Sequence, residues 1–213
     1  ILVNMGRAKF LSVYLGPAGF GIISAIDQIV LSVVQLGSFS LPFIALKFMS
    51  KSHSENHESL ALDYASFFRA ILFISIVATI ALFLGISLKP DLFGQDIVAY
   101  IEYLNIAIFS VPTLIIGVFV VNTFAATQQP SVSATVNFLV VLAIGLAGCV
   151  GVVLWGISGL YVAAVLVGLA TTVLSLLYIK SRMGLSILHE GSGAINLLRR
   201  QLSLIHISEP TRP

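Results

Sequence analysis

Charge is what this chain has least of. Only 9% of its 213 residues are Asp, Glu, Lys or Arg, against about 25% in a soluble domain. So few charges cannot cover a water-facing surface of this size, which excludes an ordinary soluble enzyme and a disordered segment. The net charge of +2 is too small to grip a phosphate backbone, so nucleic acid is not an expected partner. Cys149 is the single cysteine, which rules out a disulfide framework and a Cys-based zinc centre. Also missing are a Gly-rich phosphate loop, a G-x-S-x-G elbow and an intramembrane cluster of His, Glu or Cys. No cofactor, no metal and no covalent chemistry are therefore expected.

What the chain has instead is apolarity. Hydrophobic residues make up 58% and the mean hydropathy is +1.05. At about 20 apolar residues per crossing, there is room for roughly five or six spans plus connections. From Tyr103 to Ile179 no charged residue occurs, and two turn signals interrupt the run: Gln128-Gln129-Pro130 and Trp155-Gly156-Ile157-Ser158-Gly159. The spacing predicts spanning helices over Ile101–Ala126, Val132–Leu154 and Leu160–Ile179. Ala70–Leu88 is another uncharged run, and a further helix is expected from Ile22 to Met49. Residues Ile1–Leu15 read as the last part of an earlier span. The expected fold is all-α: a polytopic membrane bundle of about six helices, the first truncated. Helices are preferred to barrel strands because the runs are continuous, and a helix satisfies its own backbone in lipid.

Lys and Arg in the connections set the orientation. Lys47, Lys51 and Arg69 lie between spans two and three, and Lys180, Arg182, Arg199 and Arg200 follow span six. Lys89 stands alone on the other side. The polar loop Lys51–Asp63, the tail and the N-terminus should then be cytoplasmic, and Gly16–Gly21, Lys89–Asp96 and Trp155–Gly159 external.

The ends read as non-native boundaries. The chain starts Ile1-Leu2-Val3-Asn4, inside an apolar stretch. Residues Leu202 to Arg212 match, codon by codon, the translation of a transposase adapter used in sequencing libraries. Such a scar is excluded from fold reasoning. The expected organisation is therefore a transmembrane bundle over 1–179, an amphipathic cytoplasmic segment over 180–201 and an adapter-derived tail over 202–213. Within the middle segment, Ile195–Arg200 reads as an interfacial helix suited to anionic lipid.

Ionisable residues inside spans are costly and tend to line interiors. Arg7, Lys9 and Asp27 qualify. At 1.5 Å per residue, Arg7 and Asp27 lie roughly 12–14 Å from the Gly16–Gly19 turn, at matched depth. Three arrangements are open: a cationic site in a water-filled cavity, an Arg7–Asp27 ion pair fixing two helices, or Arg7 and Lys9 snorkelling to an interface. Gln28, Gln35, Asn105 and Asn122 either line the same lumen or bond between helices. Asp96 and Glu102 read as solvated interfacial carboxylates. Pro42 and Pro112 should kink their helices, and Ala143, Gly145, Ala147, Gly148 and Gly151 should pack closely. His53 and His57 are spaced for a shared metal on a helix, but their segment is polar all round and reads as a solvated face.

The stretch Arg7-Ala8-Lys9-Phe10-Leu11-Ser12-Val13-Tyr14-Leu15-Gly16-Pro17-Ala18-Gly19-Phe20-Gly21-Ile22 resembles the start of bacterial polysaccharide-export flippases. These are the O-antigen (Wzx-type) members of the multidrug/oligosaccharidyl-lipid/polysaccharide transporter superfamily. Trp155-Gly156-Ile157-Ser158-Gly159-Leu160 is similar to the corner before that family's sixth helix. The resemblance implies the first half of a two-bundle transporter in the bacterial inner membrane. It implies an undecaprenyl-pyrophosphate-linked oligosaccharide as cargo, with Arg7 and Lys9 facing the pyrophosphate. Membrane lipids, a polysaccharide polymerase and glycosyltransferases are the implied partners. The expected lumenal set is Arg7, Lys9, Asp27, Gln28, Gln35 and Asn122. A multidrug/cation antiporter of the same superfamily is the nearest alternative. A membrane polymerase or ligase is disfavoured by the short external connections, and a purely structural subunit by the charged pair.

Overall fold

The structure is a computed structural model that describes residues 2–94 and 98–187. Among these residues all regular structure is helical. The elements are α1 (Leu2–Gly37), α2 (Leu41–Glu55), α3 (His57–Leu88), a 3-10 turn (Pro90–Phe93), α4 (Ile101–Ala107), α5 (Ser110–Ala126) and α6 (Pro130–Met183). Four continuous stretches are long and apolar enough to cross a membrane: Val3–Gly37, His57–Leu88, Ile101–Ala126 and Pro130–Met183.

Two of these stretches double back on themselves. In α1, Gly16 has φ 72° and ψ 175°, a region essentially closed to residues with a Cβ. Pro17 opens the second arm, where a missing N–H costs nothing. The reversal follows from distance. Arg7 and Asp27 are twenty residues apart yet within 3.3 Å, where a straight helix would hold them about 30 Å apart. In α6 the reversal is at Trp155 and at Gly156, which has φ 64° and ψ −149°. The two arms then meet backbone to backbone. A Cβ added to Gly159 would lie 2.1 Å from the Gly151 carbonyl oxygen.

Several expected boundaries are corrected. The helix expected over Ile22–Met49 breaks at residues 38–40, where Phe39 and Ser40 take positive φ and Pro42 sits in the first turn of α2. The loop expected over Lys51–Asp63 is helical on both sides of Asn56, whose side chain accepts from the Ser59 amide and caps α3. The helix that carries the uncharged run Ala70–Leu88 therefore begins at His57. The cause is amphipathic periodicity. Pro42, Ala45, Met49 and Ser52 are buried on one face of α2, and Leu60, Ala61, Tyr64, Phe67 and Phe68 on α3. These faces bury against protein, so the helices continue beyond the lipid-length run. The helix expected over Ile101–Ala126 is split into α4 and α5. Pro112 has no N–H for the Ile108 carbonyl, which accepts from Val111 instead, at 3.1 Å.

The core has an aromatic centre at the end bearing Lys47, Lys51 and Lys180. Tyr64 stacks on Phe68 and Phe119 with centroids 6.3 and 5.5 Å apart, Phe68 and Phe119 are tilted against each other at 6.0 Å, Phe48 lies against Phe67, and Phe124 meets Tyr178 edge-on. At the same end the His57 ring nitrogen lies 2.8 Å from the Met183 carbonyl, tying the start of α3 to the end of α6. Asp96, the expected segment 180–201 beyond Ile187, and the tail 202–213 lie outside the described residues.

Candidate functional site

The turn at Gly16 lays the two arms of α1 side by side. That brings Arg7 on the first arm against Asp27 on the second. One guanidinium nitrogen donates to Asp27 Oδ2 at 3.3 Å, at the long end of hydrogen-bond range and through a single contact. The other carboxylate oxygen accepts from the Tyr161 hydroxyl at 3.3 Å, and the same hydroxyl reaches the Ile23 carbonyl. Tyr161 is only 4% exposed. It is positioned by the second arm of α6, just past the Gly156 reversal. The three side chains thus come from the two hairpins that glycine makes possible.

The pair is neither sealed nor saturated. The Arg7 and Asp27 side chains are 27% and 33% exposed. They line a cavity of about 170 Å³, with Ser110 and Thr113 of α5 and Tyr161 on its other walls. Arg7 Nε is buried and has no hydrogen-bond partner among the described residues. A guanidinium carries five N–H donors in a fixed fork, and here one is spent on Asp27. The geometry leaves a cation with spare donors beside an open volume. Such a fork suits the oxygens of a phosphate or carboxylate better than a single point charge would.

A second cavity of about 260 Å³ lies along α5 between the arms of α6. It shares Thr113, Leu114 and Ile144 with the first. Asn137, Thr172 and Ser175 give it polar side chains. The two volumes lie next to each other along α5, one beside the ion pair and the other beside hydroxyl and amide groups.

Of the six residues expected at a lumen, Arg7 and Asp27 line the first cavity. Lys9, Gln28 and Gln35 are exposed and line neither cavity. Lys9 is two residues from Arg7, about 200° around the helix, so both cannot face one volume. Asn122 is buried and its amide donates to the Pro42 carbonyl at 2.9 Å, an interhelical bond joining α5 to α2. Asn105 keeps a buried side-chain oxygen with no partner among the described residues. His53 and His57 join no metal-holding group of three among the described residues. Tyr161, Ser110 and Thr113 were not anticipated. Between Tyr103, which opens the uncharged run, and Tyr178 near its close, Tyr161 is the single phenol, and that is the signal that could have marked it.

No protein-family model matches the chain, and neither a curated protein nor a solved structure matches it.

Proposed function

We propose that the chain is the first bundle of a flippase that moves a lipid-linked oligosaccharide across the bacterial inner membrane. The observation that carries the reading is Arg7: a cation well inside an apolar hairpin, loosely held by Asp27 through one contact, and lining an open cavity. An ionisable residue in such a place is a functional candidate by default. Its job in this reading is to offset the cost of drawing a pyrophosphate head group into the membrane. The adjacent hydroxyl-lined volume suits sugar oxygens, and the stretch Arg7–Ile22 carries the family resemblance.

Counting each arm of the two doubled-back helices separately gives six crossings, with α3 and the α4–α5 stretch as the other two. That count returns the chain to its starting side after span six. Lys47, Lys51, Lys180 and Arg182 then share one end, which the His57–Met183 contact joins. By the positive-inside rule that end is cytoplasmic, and so is the N-terminus. No catalytic step is involved: transport proceeds by alternate opening of the cavity between this bundle and a second one, with no cofactor.

A second reading is favoured by Asp27, a carboxylate in the same cavity held by Tyr161. A cation antiporter of the same superfamily would use it for Na⁺, H⁺ or organic cations. The two readings separate on single variants of the full-length protein, expressed in a strain that lacks its own flippase. Arg7→Gln should abolish surface-polysaccharide export while leaving membrane insertion intact, and Lys9→Gln should leave most export in place. Normal export by Arg7→Gln overturns the flippase reading. Loss of organic-cation resistance in Asp27→Asn, with Arg7→Gln unaffected, would establish the antiporter.

A further inference from the structure

At the basic end, a cavity of about 260 Å³ opens between the start of α3 and the end of α6. Its walls are Val173, Leu176, Leu177, Leu185 and Ile187, with Lys180, Ser186 and Tyr64 as the groups of different chemistry. Lys180 is exposed and forms the rim. Tyr64 is 1% exposed, and its ring stacks on Phe68 and Phe119. A buried phenol normally finds a hydrogen-bond partner, and an acceptor inside the cavity would serve the Tyr64 hydroxyl.

The position of the cavity says what could supply that acceptor. Along α6 the uncharged run ends at Ile179, with the half-exposed Tyr178 before it and Lys180 and Arg182 after it. Apolar residues, then an amphipathic ring, then cations is the order in which a helix leaves the acyl layer through the head-group level. The cavity therefore lies where lipid phosphate and glycerol meet the first methylenes.

We propose that this cavity is a binding site for a single anionic phospholipid. The lipid phosphate pairs with Lys180, an ester or glycerol oxygen accepts from Tyr64, and the first methylenes cover the apolar walls. A zwitterionic lipid brings its own ammonium toward Lys180 and gains less. Free phosphate would leave the walls wet. The site is distinct from the Arg7 cavity and does not depend on the transport reading.

The test uses the full-length protein purified in detergent and titrated with phosphatidylglycerol or phosphatidylcholine, with retained lipid counted by native mass spectrometry. The unmodified protein should retain phosphatidylglycerol in preference to phosphatidylcholine, and excess inorganic phosphate should not displace it. Lys180→Ala, at an exposed position that leaves the melting temperature unchanged, should weaken phosphatidylglycerol about fivefold. Tyr64→Phe should weaken it by a similar factor, and Leu176→Trp, which fills the cavity, should remove the preference. Equal retention of the two lipids overturns the proposal. So does wild-type retention by Lys180→Ala and Leu176→Trp, or displacement by phosphate alone.

Discussion

Gly159→Ala tests the hairpin on which the candidate site depends. The added Cβ would sit 2.1 Å from the Gly151 carbonyl oxygen, 2.7 Å from its carbon and 3.0 Å from Trp155 Cβ. Ordinary contact begins near 3.4 Å, so the arms of α6 must part by more than 1 Å. The obstacle is backbone, which has no rotamer to change. A gap of that size forfeits a quarter to a half of each dispersion contact across the seam, and Leu160 against Gly148 is the first to loosen. The expected cost is about 3 kcal/mol, at the top of the overpacking range. For a chain of this size that is a fall of roughly 6–12 °C in melting temperature. The assay is thermal unfolding of the purified protein in one detergent. Gly117→Ala serves as the control, because a Cβ there meets nothing within 4 Å. It should be neutral or stabilising by up to about 1 kcal/mol. Equal melting of Gly159→Ala and the unmodified protein would refute the backbone contact, and with it the placement of Tyr161 against Asp27.

Two further substitutions probe the packing around the site. Asn122→Leu removes the donor to the Pro42 carbonyl, the bond that ties α5 to α2, so it should destabilise by about 1 kcal/mol. An unchanged melting temperature would mean the bond does not hold α2 to α5. Phe119→Ala empties the centre of the aromatic cluster against Tyr64 and Phe68 and should cost about 3–5 kcal/mol. Melting, again, is the readout, and a loss below 1 kcal/mol would show the cluster to be loosely packed.

Turn chemistry was the most legible part of the sequence. Leu15-Gly16-Pro17 and Trp155-Gly156 each combine a residue for an unusual backbone with a mainly apolar run on both sides, and each proved to be a reversal. The α2–α3 region was not legible in the same way. Hydropathy ends a helix where the lipid-length apolar run ends, but a helix stops only where its backbone or its packing does. Met49, Leu60 and Tyr64 bury against protein, so α2 and α3 run on through Lys51 and Asp63. Within the site, matched depth from the Gly16 turn brought out Arg7 and Asp27. Charge inside a span carries no information on facing, however, so Lys9 was grouped with Arg7 although the two point to different sides of the helix. Polarity inside a span likewise left Asn122 open between a lumen wall and a bond between helices, although it was included in the expected lumenal set; its partner is a carbonyl eighty positions away in sequence. Tyr161 carries no charge and sits in an apolar run, so a search for costly ionisable groups passes over it.

The central claim is that Arg7 holds an anionic head group within the membrane. The most direct measurement is binding of a short-chain polyprenyl pyrophosphate to the purified full-length protein and to its Arg7→Gln variant, with Lys9→Gln alongside. One lost charge-assisted bond is worth about 1.5–3 kcal/mol. Arg7→Gln should therefore bind roughly ten- to a hundredfold more weakly, with Lys9→Gln close to the unmodified protein. Equal affinity in all three proteins would contradict the claim.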